Sequence, residues 1–205
     1  MDAQGLRERK KRETRIALSW ATIRLVVERG LDNVRIEDIA AEAGVSTRTF
    51  SNYFATKGEA IVARHFERAH AIAEQLRHRP ADEPIWTAVT EAALAGFALG
   101  EGDADNVVPD EQWLSGVRLM VSEPALQSEF AKAGAAAEAE LAAAIAERTG
   151  TNATNDLYPR LVAATVSAAL TVTIQQWLGT EPPASMAALL RDVFGQLAAG
   201  LPAPH

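Results

Sequence analysis

Twenty-two residues, Ile36 to Lys57 (IEDIAAEAGVSTRTFSNYFATK), restrict this chain's fold more than any other part of it. An apolar stretch with Ile36, Ile39, Ala40 and Ala43 runs into Gly44, and Ser46 stands where a second short helix needs a cap. A serine hydroxyl accepts from first-turn amides, and glycine tolerates the left-handed backbone of a tight turn. Two helices joined through such a turn predict a helix-turn-helix, whose second helix is free to enter a groove of DNA. Directly behind it, Thr56 and Glu59 form a capping box, so another helix starts there and continues to about Arg77.

The remaining periodic segments also read as helix. Glu13 to Arg29 comes first, with Ile16, Ile23, Val26 and Val27 on its inner side and Gly30 as its stop. Beyond the break at HRPADEP, helices are expected over 85–99, 110–122, 124–148, 158–178 and 185–199, separated by the turn-rich stretches GEGDADNVVP, TGTNATND and GTEPP. No alternating segment argues for a strand. The expectation is an all-α protein of about nine helices: a three-helix head with its arm over 1–57, and a larger helical body over 58–205.

Composition narrows the classes of function. The chain holds 205 residues, 48% of them hydrophobic, and no cysteine, which excludes a disulfide framework and thiolate metal sites and fits a reducing cytoplasm. Leu161 to Thr180 has no charged residue, which is membrane-spanning length. Thr165, Ser167, Thr171, Thr173, Gln175 and Gln176 make it too polar for lipid on all sides, so a soluble protein without membrane partners is expected. The net charge of −7 is unevenly spread. Residues 1–64 carry 12 Lys/Arg against 9 Asp/Glu, leaving 8 against 18 beyond them, so a mildly basic head precedes an acidic body.

In the short helix after Ser46, Phe50, Tyr53 and Phe54 share one face, and Phe50 and Phe54 are expected to pack on Ile39 and Ile23. The opposite face presents Thr47, Arg48, Ser51 and Asn52, all able to hydrogen-bond to base edges or phosphates. Arg48 lies near the helix start, where a guanidinium can fork onto a guanine or, alternatively, hold a phosphate. Lys57 beside the amides after Thr56 suits a phosphate. The basic run Arg7, Arg9, Lys10, Lys11, Arg12 and Arg15 can follow the DNA backbone or reach toward the minor groove.

From about Arg15 to Ile61, with ERG closing the first helix, then DIAAEAGVS, RTFSNYF and TK, the chain resembles the DNA-binding domain of TetR-family transcriptional regulators. The resemblance implies a homodimer reading pseudo-palindromic double-stranded operator DNA, with no cofactor. By position it places Ser46, Thr47, Arg48, Ser51 and Asn52 at the DNA and assigns phosphates to Thr49, Tyr53 and Lys57. Two positions depart from the family pattern. Arg35 replaces a frequent threonine at the start of the second helix, where a missing cap costs about 1 kcal/mol unless compensated, although its charge suits a phosphate. Ser51 replaces a frequent aromatic.

The resemblance also makes the last two long helices the dimer interface and the body the site of a small-molecule effector. Small residues Ala164, Ala168 and Thr171 permit close helix approach, while Leu189, Leu190, Val193, Phe194 and Leu197 extend apolar surface. Trp86, Phe97, Trp113, Met120 and Trp177 are candidates for lining the effector pocket, with ordinary core packing as the alternative for each. Arg118, a cation in an apolar stretch, either pairs with Glu111 or Glu123 or meets an anionic ligand. VRLMVSEPAL, DLYPRLVAA and QQWL are similar to the C-terminal domain of mycofactocin-system regulators, which implies an acyl-CoA-like effector.

The expected function is therefore a ligand-responsive repressor released from its operator by a small hydrophobic effector. The alternative is a helical ligand-binding dimer without specific DNA binding. An enzyme is not expected, because His65, His70, His78 and His205 lack metal-ligand spacing and no phosphate loop or nucleophile elbow is present.

Overall fold

The computed structural model describes residues 3–98, 118–119, 123–179 and 185–203. Among these, eight α-helices occur and no strand: α1 (Ala3–Arg29), α2 (Ile36–Glu42), α3 (Thr47–Tyr53), α4 (Lys57–His78), α5 (Ile85–Ala98), α6 (Gln127–Thr149), α7 (Leu157–Leu178) and α8 (Met186–Ala198). Two 3-10 turns, Leu31–Asn33 and Pro124–Leu126, join them. The helix expected over 110–122 lies outside the described residues except at Arg118 and Leu119, which are helical. The all-α expectation holds, and the basic arm is already helical, so α1 begins about three turns before Glu13.

Two compact units are formed, Met1–His65 with Asp110–Ala133, and Phe66–Pro109 with Gly134–His205. In the first unit, α1 packs on α2 and α2 on α3. Its core contains Leu18, Ile23, Leu25, Val26, Ile39, Phe50, Phe54 and Ile61, all nearly inaccessible to solvent. Val27, expected inside, is instead 46% exposed. At one residue beyond Val26 it is turned about 100° around the helix, past the edge of the buried stripe. Ser19 Oγ donates to the Ala60 carbonyl at 2.7 Å and pins α1 to the start of α4. The Pro124–Leu126 turn seats against the same place, since a Cβ on Gly58 would stand 3.1 Å from Glu129 Cγ and 3.3 Å from Leu126 Cδ2.

In the second unit, α8 contacts both α5 and α7 and buries Met186, Leu190 and Phe194. The turn between α4 and α5 is held by Arg148 of α6, whose guanidinium donates to the carbonyls of Arg79, Pro80 and Glu83. Arg79 forks onto Glu83 in the same turn, and that hydrogen bond holds the Glu83 carboxyl below the ordinary range. Farther along α4, Arg77 reaches Glu147 of α6 at 3.0 Å, and His70 meets Glu140. The α4–α5 approach is closer still: a Cβ on Gly96 would lie 2.5 Å from Ile72 Cγ1.

Candidate nucleic-acid interface

The turn between α2 and α3 depends on Gly44, at φ 67, a conformation that costs a residue with a Cβ roughly 1–2 kcal/mol. Ser46 then caps α3 by accepting from the Thr49 amide at 3.1 Å, and its Oγ also lies 2.9 Å from Thr49 Oγ1. Below the helix, Phe50 and Phe54 are buried with ring centroids 5.7 Å apart, as the spacing predicts. Their burial turns Thr47, Arg48, Ser51 and Asn52 outward, and all four are exposed along with Ser46. Thr49 and Tyr53 are half-buried at the edges of this face.

Two side chains outside α3 fix the geometry. Arg15 of α1 stands with Cζ 4.7 Å above the Phe54 ring and donates from Nη1 to the Tyr53 carbonyl at 3.5 Å. A guanidinium over an aromatic face is attractive because of the ring quadrupole. The sequence showed Arg15 only as one cation in a basic run. Asp38 is the second: its carboxylate accepts the Arg35 N–H at 2.9 Å, while the Asp38 amide donates to the Arg35 carbonyl at 3.1 Å. The start of α2 is thereby satisfied without a threonine hydroxyl, and the Arg35 side chain is exposed. The sequence signal for Asp38, passed over in the sequence reading, is an acid three residues after the cap.

Lys57, which the resemblance assigns to a phosphate, is also bonded within the head. Half-buried at the start of α4, its Nζ donates to the carbonyls of Leu31 at 2.6 Å and Val34 at 2.7 Å. Behind it, Thr56 Oγ1 accepts from the Glu59 amide at 3.0 Å, and Glu59 reaches back to the Ala55 amide at 2.7 Å. Of the arm, Arg7, Lys10 and Lys11 are exposed on α1.

The candidate effector residues fall apart into groups. Phe97 and Trp177 are buried in the second unit, and Phe97 lies under the guanidinium of Arg68, 4.5 Å from Cζ to the ring centroid. Trp86 is half-buried and Arg118 exposed, whereas Trp113 and Met120 lie outside the described residues. Among the described residues no group of three or more metal-ligating side chains occurs. Among the described residues one helix, α7, is long and apolar enough to cross a membrane by length and composition. Its exposed residues are Leu157, Tyr158, Arg160, Leu161, Ala168, Thr171, Val172, Gln175 and Gln176.

Comparison with known proteins covers both parts of the chain. Residues 20–63 match the family described as bacterial regulatory proteins, tetR family, and residues 83–202 match the MftR C-terminal domain. The HTH-type transcriptional regulator TcmR of Streptomyces glaucescens is 30% identical over 174 residues, spanning 84% of this chain and 76% of that protein. A TetR-family transcriptional regulator from Rhodococcus sp. superposes with a TM-score of 0.56 at 22% identity, over 93% of this chain and 99% of the other. The transcriptional regulator FadR from Bacillus subtilis, solved with stearoyl-CoA, gives 0.58 at 17% identity over 90% and 97% of the two chains. At these identities the two solved structures share the fold, and the family matches carry the rest.

Proposed function

Because this chain belongs to the TetR family of DNA-binding transcriptional regulators, we propose that it is a cytoplasmic homodimeric repressor, released from a pseudo-palindromic operator by an acyl-CoA-like effector. The observation that carries the reading is the two-sided α3, with Phe50 and Phe54 locked inward and Thr47, Arg48, Ser51 and Asn52 presented outward. In this reading 1–57 is the DNA-binding part and 58–205 the effector and dimer part, with no catalytic role. Arg48 reads a base edge, Thr47, Ser51 and Asn52 meet bases or phosphates, and Ser46, Thr49, Tyr53 and Arg35 border the DNA backbone. Two-fold pairing through α7 and α8 sets half-sites about 34–36 Å apart or a multiple of that.

The exposed apolar side of α7 supports pairing rather than insertion in lipid, since Thr171 and Gln175 lie among its apolar residues. For the effector, support comes from the MftR C-terminal match and from the FadR fold relative holding stearoyl-CoA. Phe97, Trp177 and Trp86 are the described residues assigned to that pocket, with Trp113, Met120 and Arg118 assigned on sequence alone.

Selecting duplexes from a randomised pool tests this reading. An inverted repeat is expected, and indifference to sequence would sink it in favour of an interaction-only dimer. Arg48→Ala should flatten the preference at one position in each half-site, a loss of about 1–3 kcal/mol of discrimination. An unchanged base preference removes Arg48 from that role. Stearoyl-CoA should weaken the complex, and linkage requires the selected duplex to weaken stearoyl-CoA binding by the same factor. A complex that stearoyl-CoA leaves unweakened would remove an acyl-CoA effector from this reading.

A further inference from the structure

The geometry points to Lys57 as a positioning residue that acts on DNA recognition by tethering the turn ahead of α2 to the start of α4. This rests on the DNA-binding reading above.

Two of the three N–H donors of the ammonium are committed, to Leu31 O at 2.6 Å and Val34 O at 2.7 Å. Charge-assisted bonds of this kind are short and roughly twice as strong as neutral ones. The carbonyls they hold belong to the first residue of the Leu31–Asn33 turn and to the residue just after it, in the piece of backbone that delivers the chain into α2. Both ends of the tether are fixed. At one end Thr56 and Glu59 cap α4 around Lys57. At the other, Val34 is 1% exposed, and Asp38 anchors the next residue, Arg35.

The tether therefore joins α4 to the entrance of α2, and α2 packs on the reading helix α3. Without it, the turn gains freedom and the outward face of α3 loses a fixed orientation relative to α4. A misplacement of a recognition element weakens binding even when every contacting side chain is intact.

Two variants of the full chain test this, with the duplex that the wild-type protein selects as probe. Lys57→Met keeps the aliphatic stem and removes the ammonium, and Lys57→Arg keeps the charge but substitutes a planar fork for a compact three-donor head. Amide exchange across residues 32–39 in the DNA-free protein is expected to quicken in Lys57→Met, with affinity falling by about tenfold. Lys57→Arg should show the two changes in proportion. The inference stands if affinity and exchange move together in both variants. It is overturned if Lys57→Met loses affinity with wild-type exchange, if either variant exchanges faster at wild-type affinity, or if neither quantity moves in Lys57→Met. Failure of the wild-type protein to select any duplex would instead sink the DNA-binding reading, and the exchange measurement would remain.

Discussion

Leu161→Asp combined with Val172→Asp is expected to yield a helical, monomeric protein whose operator affinity falls by about 10²–10⁴-fold. Both residues are 57% exposed in the single chain, and Leu157 on the same helix is 73% exposed. Leu157, Leu161, Ala168, Val172 and Gln175 recur along one side of α7, the arrangement of a surface meant to be covered. Neither carboxylate disturbs the core of the subunit, but each would have to be buried without a partner in a two-fold interface, and such burial is strongly unfavourable. The affinity loss comes from severing the link between two reading heads, which makes the second half-site a separate binding event. Sedimentation and a binding isotherm on the selected duplex check this. A persistent dimer with undiminished affinity would put the interface elsewhere.

Phe50→Ala is expected to unfold the head while leaving the rest of the helical signal in place. Phe50 is wholly buried beside Phe54, and truncating a core phenylalanine to alanine costs about 3–5 kcal/mol. That is a large share of the roughly 5–15 kcal/mol that stabilises a whole protein. Thermal unfolding followed by circular dichroism should show a new early transition, and specific DNA binding should disappear with it. Since Phe50 points away from the proposed DNA face, binding lost without any loss of stability would mean that the buried side of α3 has been misassigned.

The head was readable because its determinants are local. Gly44, Ser46 and the Phe50–Phe54 spacing each act within a few residues, and the structure places them as that spacing predicts. Features that depend on distant partners were not readable. Arg15 looked like one cation in a run, and only the packing of α1 brings it over Phe54, 39 positions away in sequence by the difference of their numbers. Lys57 reads only as a cation suited to a phosphate because nothing in its neighbourhood announces the two carbonyls that it holds. Val27 misled for a different reason: apolar residues are also tolerated outside, so an apolar residue at the edge of a stripe does not mark its side. The body was legible as helices but not as a site, since burial alone gives Phe97 and Trp177 the same appearance whether they line a pocket or fill a core.

The missing Cβ at Gly96 has a mechanical consequence. With Ile72 Cγ1 occupying the space a methyl would need, α4 and α5 meet there with no slack. Close-packed interiors compress very little. A joint with play absorbs the first part of any displacement; one without play passes it on from the outset. At this crossing α5 cannot press toward α4 without moving it.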